Sequence, residues 1–147
     1  MTIGQRLRRW RAQVDGLARR AWPREAEDFL ARGLDRHLKG DLVGAIADYD
    51  RAIAGYPDRQ SRAMAYLMRG NVRRDEGDLA GAIEDYDRSI ALHPGQAGAH
   101  LNRALACEEA GERARARADY GIVGELSADP GWRREAAEGL ERLEGEG

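Results

Sequence analysis

The sequence predicts an all-α fold: an α-solenoid of three helix-turn-helix repeats, with an N-terminal amphipathic helix before it and a C-terminal capping helix after it. Three observations carry the prediction. The stretch "KGDLVGAIADYDRAIAGYP", Lys39 to Pro57, is almost rewritten as "EGDLAGAIEDYDRSIALHP", Glu76 to Pro94. Gly33, Gly40, Ala45, Tyr49 and Pro57 recur at one constant shift as Gly70, Gly77, Ala82, Tyr86 and Pro94. A third copy follows at a slightly shorter interval, with Gly111, Ala116 and Tyr120. A fixed period of this size marks stacked supersecondary units, each needing a neighbour to bury its apolar face.

The elements follow in chain order. Over residues 1–22, Ile3, Leu7, Trp10, Val14, Leu17 and Ala21 are spaced four, three, four, three, four, with arginines over most of the remaining surface. That spacing predicts an amphipathic helix with an apolar seam. Residues 23–130 hold the repeats, at about 26–59, 63–96 and 97–130. In the first, Phe29, Leu30, Leu34 and Leu38 fall at helical spacing before the breaker Gly40. Asp41 then stands as N-cap ahead of Leu42, Ile46, Tyr49 and Ile53, and Pro57 closes the unit. The second repeats the plan with Tyr66, Leu67, Met68, Gly77, Asp78, Ile83, Tyr86, Ile90 and Pro94. The extra residues of the first interval fall in "DRQSR", Asp58 to Arg62, which lengthens a turn or adds a helical one. The third copy is weaker: His100 stands in the aromatic site, Ala104 in the glycine site and Arg117 in an isoleucine site. Residues 131–147 place Trp132, Ala136, Leu140 and Leu143 on one face, the pattern of a helix covering the last repeat.

Small residues at 33, 70, 45 and 82 let two helices approach closely, while Tyr49 and Tyr86 fill space toward the next unit. The combination of an aromatic at 29, glycine at 33, "GD" at 40–41, "AI" at 45–46, tyrosine at 49, alanine at 52 and proline at 57 resembles a tetratricopeptide repeat. Residues 63–94 match the same pattern, with Ser89 in the alanine site.

Composition narrows the function. Of 147 residues, 34% are charged, yet the formal net charge is −2. The balance is uneven: residues 1–25 carry seven arginines against Asp15 and Glu25, net +5, which leaves −7 for residues 26–147. One cysteine, Cys107, excludes an intrachain disulfide or a cysteine-based zinc site. The start "MTIGQRLRRWRAQV" lacks the apolar core of a signal peptide, and no run is long enough to span a bilayer, so a cytoplasmic protein is expected. No phosphate loop, nucleophile elbow or metal-spaced histidine pair is present. No enzymatic activity, metal or cofactor is expected, and Cys107 reads as a buried, inert thiol. Arg32, Arg69 and Arg103 recur one residue before the small site. They form either an anion ladder or, more plainly, stems laid over apolar surface with heads in solvent or on a carboxylate such as Asp28 or Asp35. Arg36 and Arg73 call for the same caution.

The resemblance implies a concave surface, formed by the first helix of each repeat, that binds partners. Carried over by position, its lining includes Leu30, Leu34 and His37; Met64, Leu67, Met68, Asn71 and Arg74; and Leu101, Asn102, Leu105 and Glu108. Such an apolar, methionine-bearing strip suits an amphipathic helix or an extended peptide. One subclass of the family grips C-terminal carboxylates with lysines, an arginine and asparagines; here the cation sites hold Leu67, Gly98 or their neighbours, and that mode is rejected. The expected function is a non-catalytic protein-protein interaction module for a protein or peptide partner. An alternative is a self-assembling scaffold whose N-terminal helix, through Ile3, Leu7, Trp10, Val14 and Leu17, docks on another copy as a homo-oligomer. A more remote one is a membrane or nucleic-acid adaptor using the arginine-rich arm. No small-molecule substrate is expected. The plainest expectation for the arm is an extra cap on the exposed end or groove of its own solenoid; the sharpest is a helix lying in its own groove or a neighbour's.

Overall fold

The structure, a computed structural model, describes residues 24–145. The segment at 1–22 lies outside them, and with it Ile3, Leu7, Trp10, Val14 and Leu17. The described residues form seven helices and no strand: α1 Arg24–Leu38, α2 Leu42–Gly55, α3 Arg59–Asp75, α4 Leu79–Leu92, α5 Ala97–Glu109, α6 Arg113–Leu126 and α7 Pro130–Gly145. Each helix packs on the next, and the first helices α1, α3 and α5 of successive repeats also touch. The result is the all-α solenoid of helical hairpins that the period predicts.

The turns show why the chain reverses where it does. Gly40, Gly77 and Gly111 follow α1, α3 and α5 with φ of 82°, 86° and 79°, a left-handed conformation that penalises any side chain. Asp41 then accepts a hydrogen bond from Gly44 N (2.9 Å), and Asp78 from Gly81 N (3.0 Å), capping α2 and α4. At the third turn Glu112 makes no such bond. The "DRQSR" segment resolves as added helix rather than longer loop. Asp58 accepts from Ser61 N at 2.8 Å, so α3 runs 17 residues against 15 for α1 and 13 for α5.

Tyr49, Tyr86 and Tyr120 are fully buried and act as wedges. A Cβ on Gly33 would come within 2.8 Å of the Tyr49 ring, and one on Gly70 within 2.7 Å of Tyr86. The third repeat carries Ala104 in that site, and the Tyr120 ring meets Gly139 of α7, where a Cβ would come within 2.5 Å. On α7, Ala136 and Leu143 are buried, while Trp132 and Leu140 pack half-buried against the same core.

Each repeat also buries an aspartate: Asp48, Asp85 and Asp119. Arg32 grips Asp48 through both carboxylate oxygens (2.8 and 2.5 Å), Arg69 grips Asp85 (2.9 and 2.7 Å), and Arg103 grips Asp119 (2.7 and 2.8 Å). Arg36 and Arg73 add a second cation to Asp48 and Asp85, at 2.9 and 3.1 Å. The guanidinium heads thus do meet carboxylates, but on the facing helix rather than at the examples Asp28 and Asp35. A same-helix carboxylate is near in sequence, but the facing helix supplies a buried one in fork geometry, which is the stronger partner. In the third repeat Cys107 takes the site of Arg36 and Arg73. His100, in the aromatic site, replaces the missing contact: its Nδ1 lies 3.1 Å from Asp119, and its Nε2 donates to the Pro94 carbonyl at 3.0 Å.

The hydrogen bond from Arg32 outweighs burial and holds the Asp48 carboxyl below its ordinary value. For Asp119, burial pushes upward, but bonds from Arg103 and His100 win and the carboxyl is again held low. A carboxylate depressed in the folded state stabilises fully above the ordinary value of about 4 and loses that effect as pH falls through the depressed one. This part of the stability is therefore lost progressively as pH falls below about 4 and through the depressed values.

These contacts predict a graded response to substitution. Asp85→Ala, which leaves Arg69 and Arg73 without their buried partner, should cost about 3 kcal/mol. Gly70→Val should cost about 2 kcal/mol or more through overpacking against Tyr86. Lys39→Ala, which removes only the exposed pair with Asp35 at 2.7 Å, should cost under about 0.5 kcal/mol. Urea unfolding followed by circular dichroism gives the ranking; equal losses for Asp85→Ala and Lys39→Ala would contradict it.

Candidate docking groove

The first helices present one face, and the structure divides its expected lining into floor, centre and rim. Leu30, Leu67 and Leu101 are core residues, packed within the two apolar clusters, and Leu34 is buried as well. They are floor rather than free contact points, because successive first helices lie close enough to close over them. Met64, Met68, Asn71, Asn102 and Leu105 remain half-buried at the surface. The accessible apolar strip is thus narrower than the sequence pattern alone implies.

At the centre, Asn71 Oδ1 accepts from Tyr86 Oη and from Asn102 Nδ2, both at 2.9 Å. These two bonds tie α3 to its own second helix and to α5. Among the described residues the amide N–H groups of Asn71 and the side-chain carbonyl of Asn102 make no hydrogen bond. The middle of the face therefore offers one amide donor group and one acceptor. In the first repeat, Leu34 occupies the site of Asn71, and the buried Tyr49 hydroxyl has no hydrogen-bond partner among the described residues.

At the rim, charge is matched across the helices. His37 on α1 reaches Asp75 on α3 at 2.6 Å, Arg74 on α3 reaches Glu109 on α5 at 2.8 Å, and Arg142 on α7 reaches Glu108 on α5 at 2.9 Å. The Tyr120 hydroxyl also donates to Glu108. Bonds from Arg142 first, and from Tyr120, hold the Glu108 carboxyl below its ordinary value. Exposed pairs of this kind are worth under about 1 kcal/mol each. Their larger effect is to occupy the cations that an incoming carboxylate would need.

Sequence position places Asp75 and Glu109 on this lining with His37, Arg74 and Glu108, but not Arg142 and not the pairing. The signal for the pairing lay in complementary charges at equivalent places of successive repeats: 37 with 75, then 74 with 109. Trp132 of α7 was placed on a covering face; it also stands against the groove at Gly98, where a Cβ would come within 3.1 Å of its ring.

Other chemistry is sparse. Cys107 is buried, and burial pushes its thiol up to about 11. No cluster of three metal-ligating side chains occurs among the described residues, and no described helix is long and apolar enough to cross a membrane.

A family model described as TPR repeat matches residues 70–111. Among curated proteins none matches the sequence. Solved structures do match in fold. The TPR2B domain of yeast Sti1, solved as a complex with pHsp70, superposes with a TM-score of 0.77 at 20% identity, covering 85% of this chain and 100% of that one. The second TPR domain of human RPAP3, in complex with the HSP70 peptide SGPTIEEVD, gives 0.71 at 21% identity, covering 82% and 95%. The Yersinia enterocolitica type III secretion chaperone SycD, in complex with a peptide of the translocator YopD, gives 0.73 at 18% identity, covering 82% and 92%.

The buried thiol yields a direct check. At pH 8 the native chain should react with a disulfide reagent orders of magnitude more slowly than a free thiol, and one equivalent should appear promptly in denaturant. Rapid stoichiometric labelling of the native chain would show that Cys107 is accessible.

Proposed function

We propose that this chain, which folds as a tetratricopeptide-repeat solenoid, is a non-catalytic docking module that binds an amphipathic helix or extended peptide on the face of its first helices. The observation that carries this is the centre of that face. Met64, Met68 and Leu105 offer an adaptable apolar strip beside the unspent amide donors of Asn71 and the unspent carbonyl of Asn102. Methionine side chains adapt to irregular apolar partners, and an amide pair suits the alternating donors and acceptors of a peptide. The three repeats form the docking body, and residues 131–147 close its far end.

Ligand chemistry is narrowed by the rim. Arg74 and Arg142 are each committed to a carboxylate of the chain itself, and His37 to Asp75. An acidic C-terminal tail would have to break those pairs and would meet Asp75 and Glu109. The solved relatives that bind tails ending in EEVD thus share the fold with this chain but not its ligand. The favoured partner is apolar with neutral or basic flanks. No binding pocket for a small substrate is part of this proposal.

Selection from a displayed library of helical and extended peptides tests both points. Binders should be rich in apolar anchors and poor in acids, and Met64→Glu with Met68→Glu should weaken them at least tenfold while helix content stays unchanged. The peptide SGPTIEEVD should bind more weakly than about 1 mM. Micromolar binding of that peptide, or selected binders indifferent to the methionine changes, would overturn the assignment.

A further inference from the structure

We infer that the ligand of this face is a basic-edged amphipathic helix. It lies across α3 and α5, with its apolar stripe on Met64 and Met68 and two cations, two turns apart, on Asp75 and Glu109. The inference rests on the docking function proposed above and adds to it the secondary structure of the partner and the spacing of its charges. Three observations carry it.

The first is that two chemistries lie side by side. The N-terminal halves of α3 and α5 are apolar: Met64 and Met68 are half-buried on α3, and the Trp132 ring stands against Gly98 on α5. The C-terminal ends of the same helices carry Asp75 and Glu109. At a rise of 1.5 Å per residue, Asp75 lies about 10 Å beyond Met68 along α3. A helix with its side chains is about 10–12 Å across, so one crossing over the methionines brings an edge to the carboxylates. An extended segment laid the same way turns successive side chains to opposite faces, and does not set two neighbouring stripes on one surface.

The second is unspent acceptors. Asp75 meets His37 through Oδ2 alone, and Glu109 accepts from Arg74 through Oε1 alone. Among the described residues the other oxygen of each carboxylate accepts no hydrogen bond, and the two side chains remain 58% and 45% exposed. A carboxylate accepts several hydrogen bonds, so each can take an arginine of the ligand without losing its own partner. Glu108 differs, because both of its oxygens are used by Arg142 and Tyr120. The basic edge therefore reads Asp75 and Glu109 and passes over Glu108.

The third is spacing. Asp75 and Glu109 close neighbouring first helices, and packed helices lie roughly 8–10 Å apart. Residues seven apart on a ligand helix share a face and are separated by about 10 Å, which matches. On α1 the equivalent place holds Leu38, 67% exposed. The row thus offers two anions and then an apolar end, and it selects two cations rather than a continuous basic stripe.

The test titrates the full chain with two labelled helical peptides of identical composition, with binding read by fluorescence anisotropy. Both carry the same apolar stripe. One has two arginines seven residues apart on the edge beside that stripe, and the other has them on the opposite face. The first should bind at least tenfold more tightly at about 50 mM salt, and raising salt to about 500 mM should remove the preference. Asp75→Asn with Glu109→Gln should remove it too, with helix content unchanged because both pairs are exposed. Equal affinity of the two peptides, a preference that persists in the variant or at high salt, or no binding of either overturns the inference. If both peptides bind alike and both are lost with Met64→Glu and Met68→Glu, the basic-edged ligand is rejected and the docking function stands. Binding indifferent to the methionine changes rejects the docking face itself.

Discussion

Three buried carboxylates, Asp48, Asp85 and Asp119, set terms that the rest of the structure meets. An unpaired charge in that position costs several kcal/mol, so the first helix of each repeat must turn an arginine inward, in a fork geometry that fixes its register against the second helix. Arg69 and Arg103 then extend the same contact between repeats, reaching Asp50 at 2.5 Å and Asp87 at 2.7 Å in the preceding unit. The burial of these heads follows: Arg69 is 12% exposed and Arg103 18%, against 47% for Arg32, which has no such neighbour among the described residues. The ladder also has a defined end. Gly121 stands where Asp50 and Asp87 stood, and Glu138 of α7 stands where an arginine would be. Both halves of the next link are absent at the place where the repeats stop.

That inward commitment has a consequence for the surface. The repeated arginines serve the interior, and the docking face takes its charge from other positions, where His37, Arg74 and Arg142 meet Asp75, Glu109 and Glu108. The face is left with carboxylates that retain exposure, an apolar centre, and two asparagines with bonding capacity to spare. On the function proposed here, a partner is recognised there by apolar fit and amide pairing, with charge acting mainly to exclude acidic ligands.

How much of this the sequence discloses depends on the range of the interaction. The hairpins, the glycine turns, the aspartate caps at 41 and 78, and the tyrosine wedges are local or periodic, and the copied residues announce them. The partners of Arg32, Arg69 and Arg103 sit 16 residues away on the facing helix. Their signal, an aspartate ahead of each tyrosine in "ADYD", "EDYD" and "ADYG", was present but easily passed over for acids on the same helix. The burial of Leu30, Leu34, Leu67 and Leu101 was less legible still, because helical spacing gives a residue's face but not how closely the next helix approaches it. Substitutions in the third repeat make sense only together: Cys107 removes one cation from the buried carboxylate and His100 restores a contact to it.

The central claim is that binding takes place on the face of α1, α3 and α5 around the two half-buried methionines. It is most directly tested by nuclear magnetic resonance of the full chain carrying labelled methionine methyl groups, titrated with a peptide selected for binding. The Met64 and Met68 signals should shift and saturate together with amides of Asn71, Asn102 and Leu105, while α2, α4 and α6 stay unchanged. Saturating shifts confined to the second helices, with both methionine signals unmoved, would contradict it.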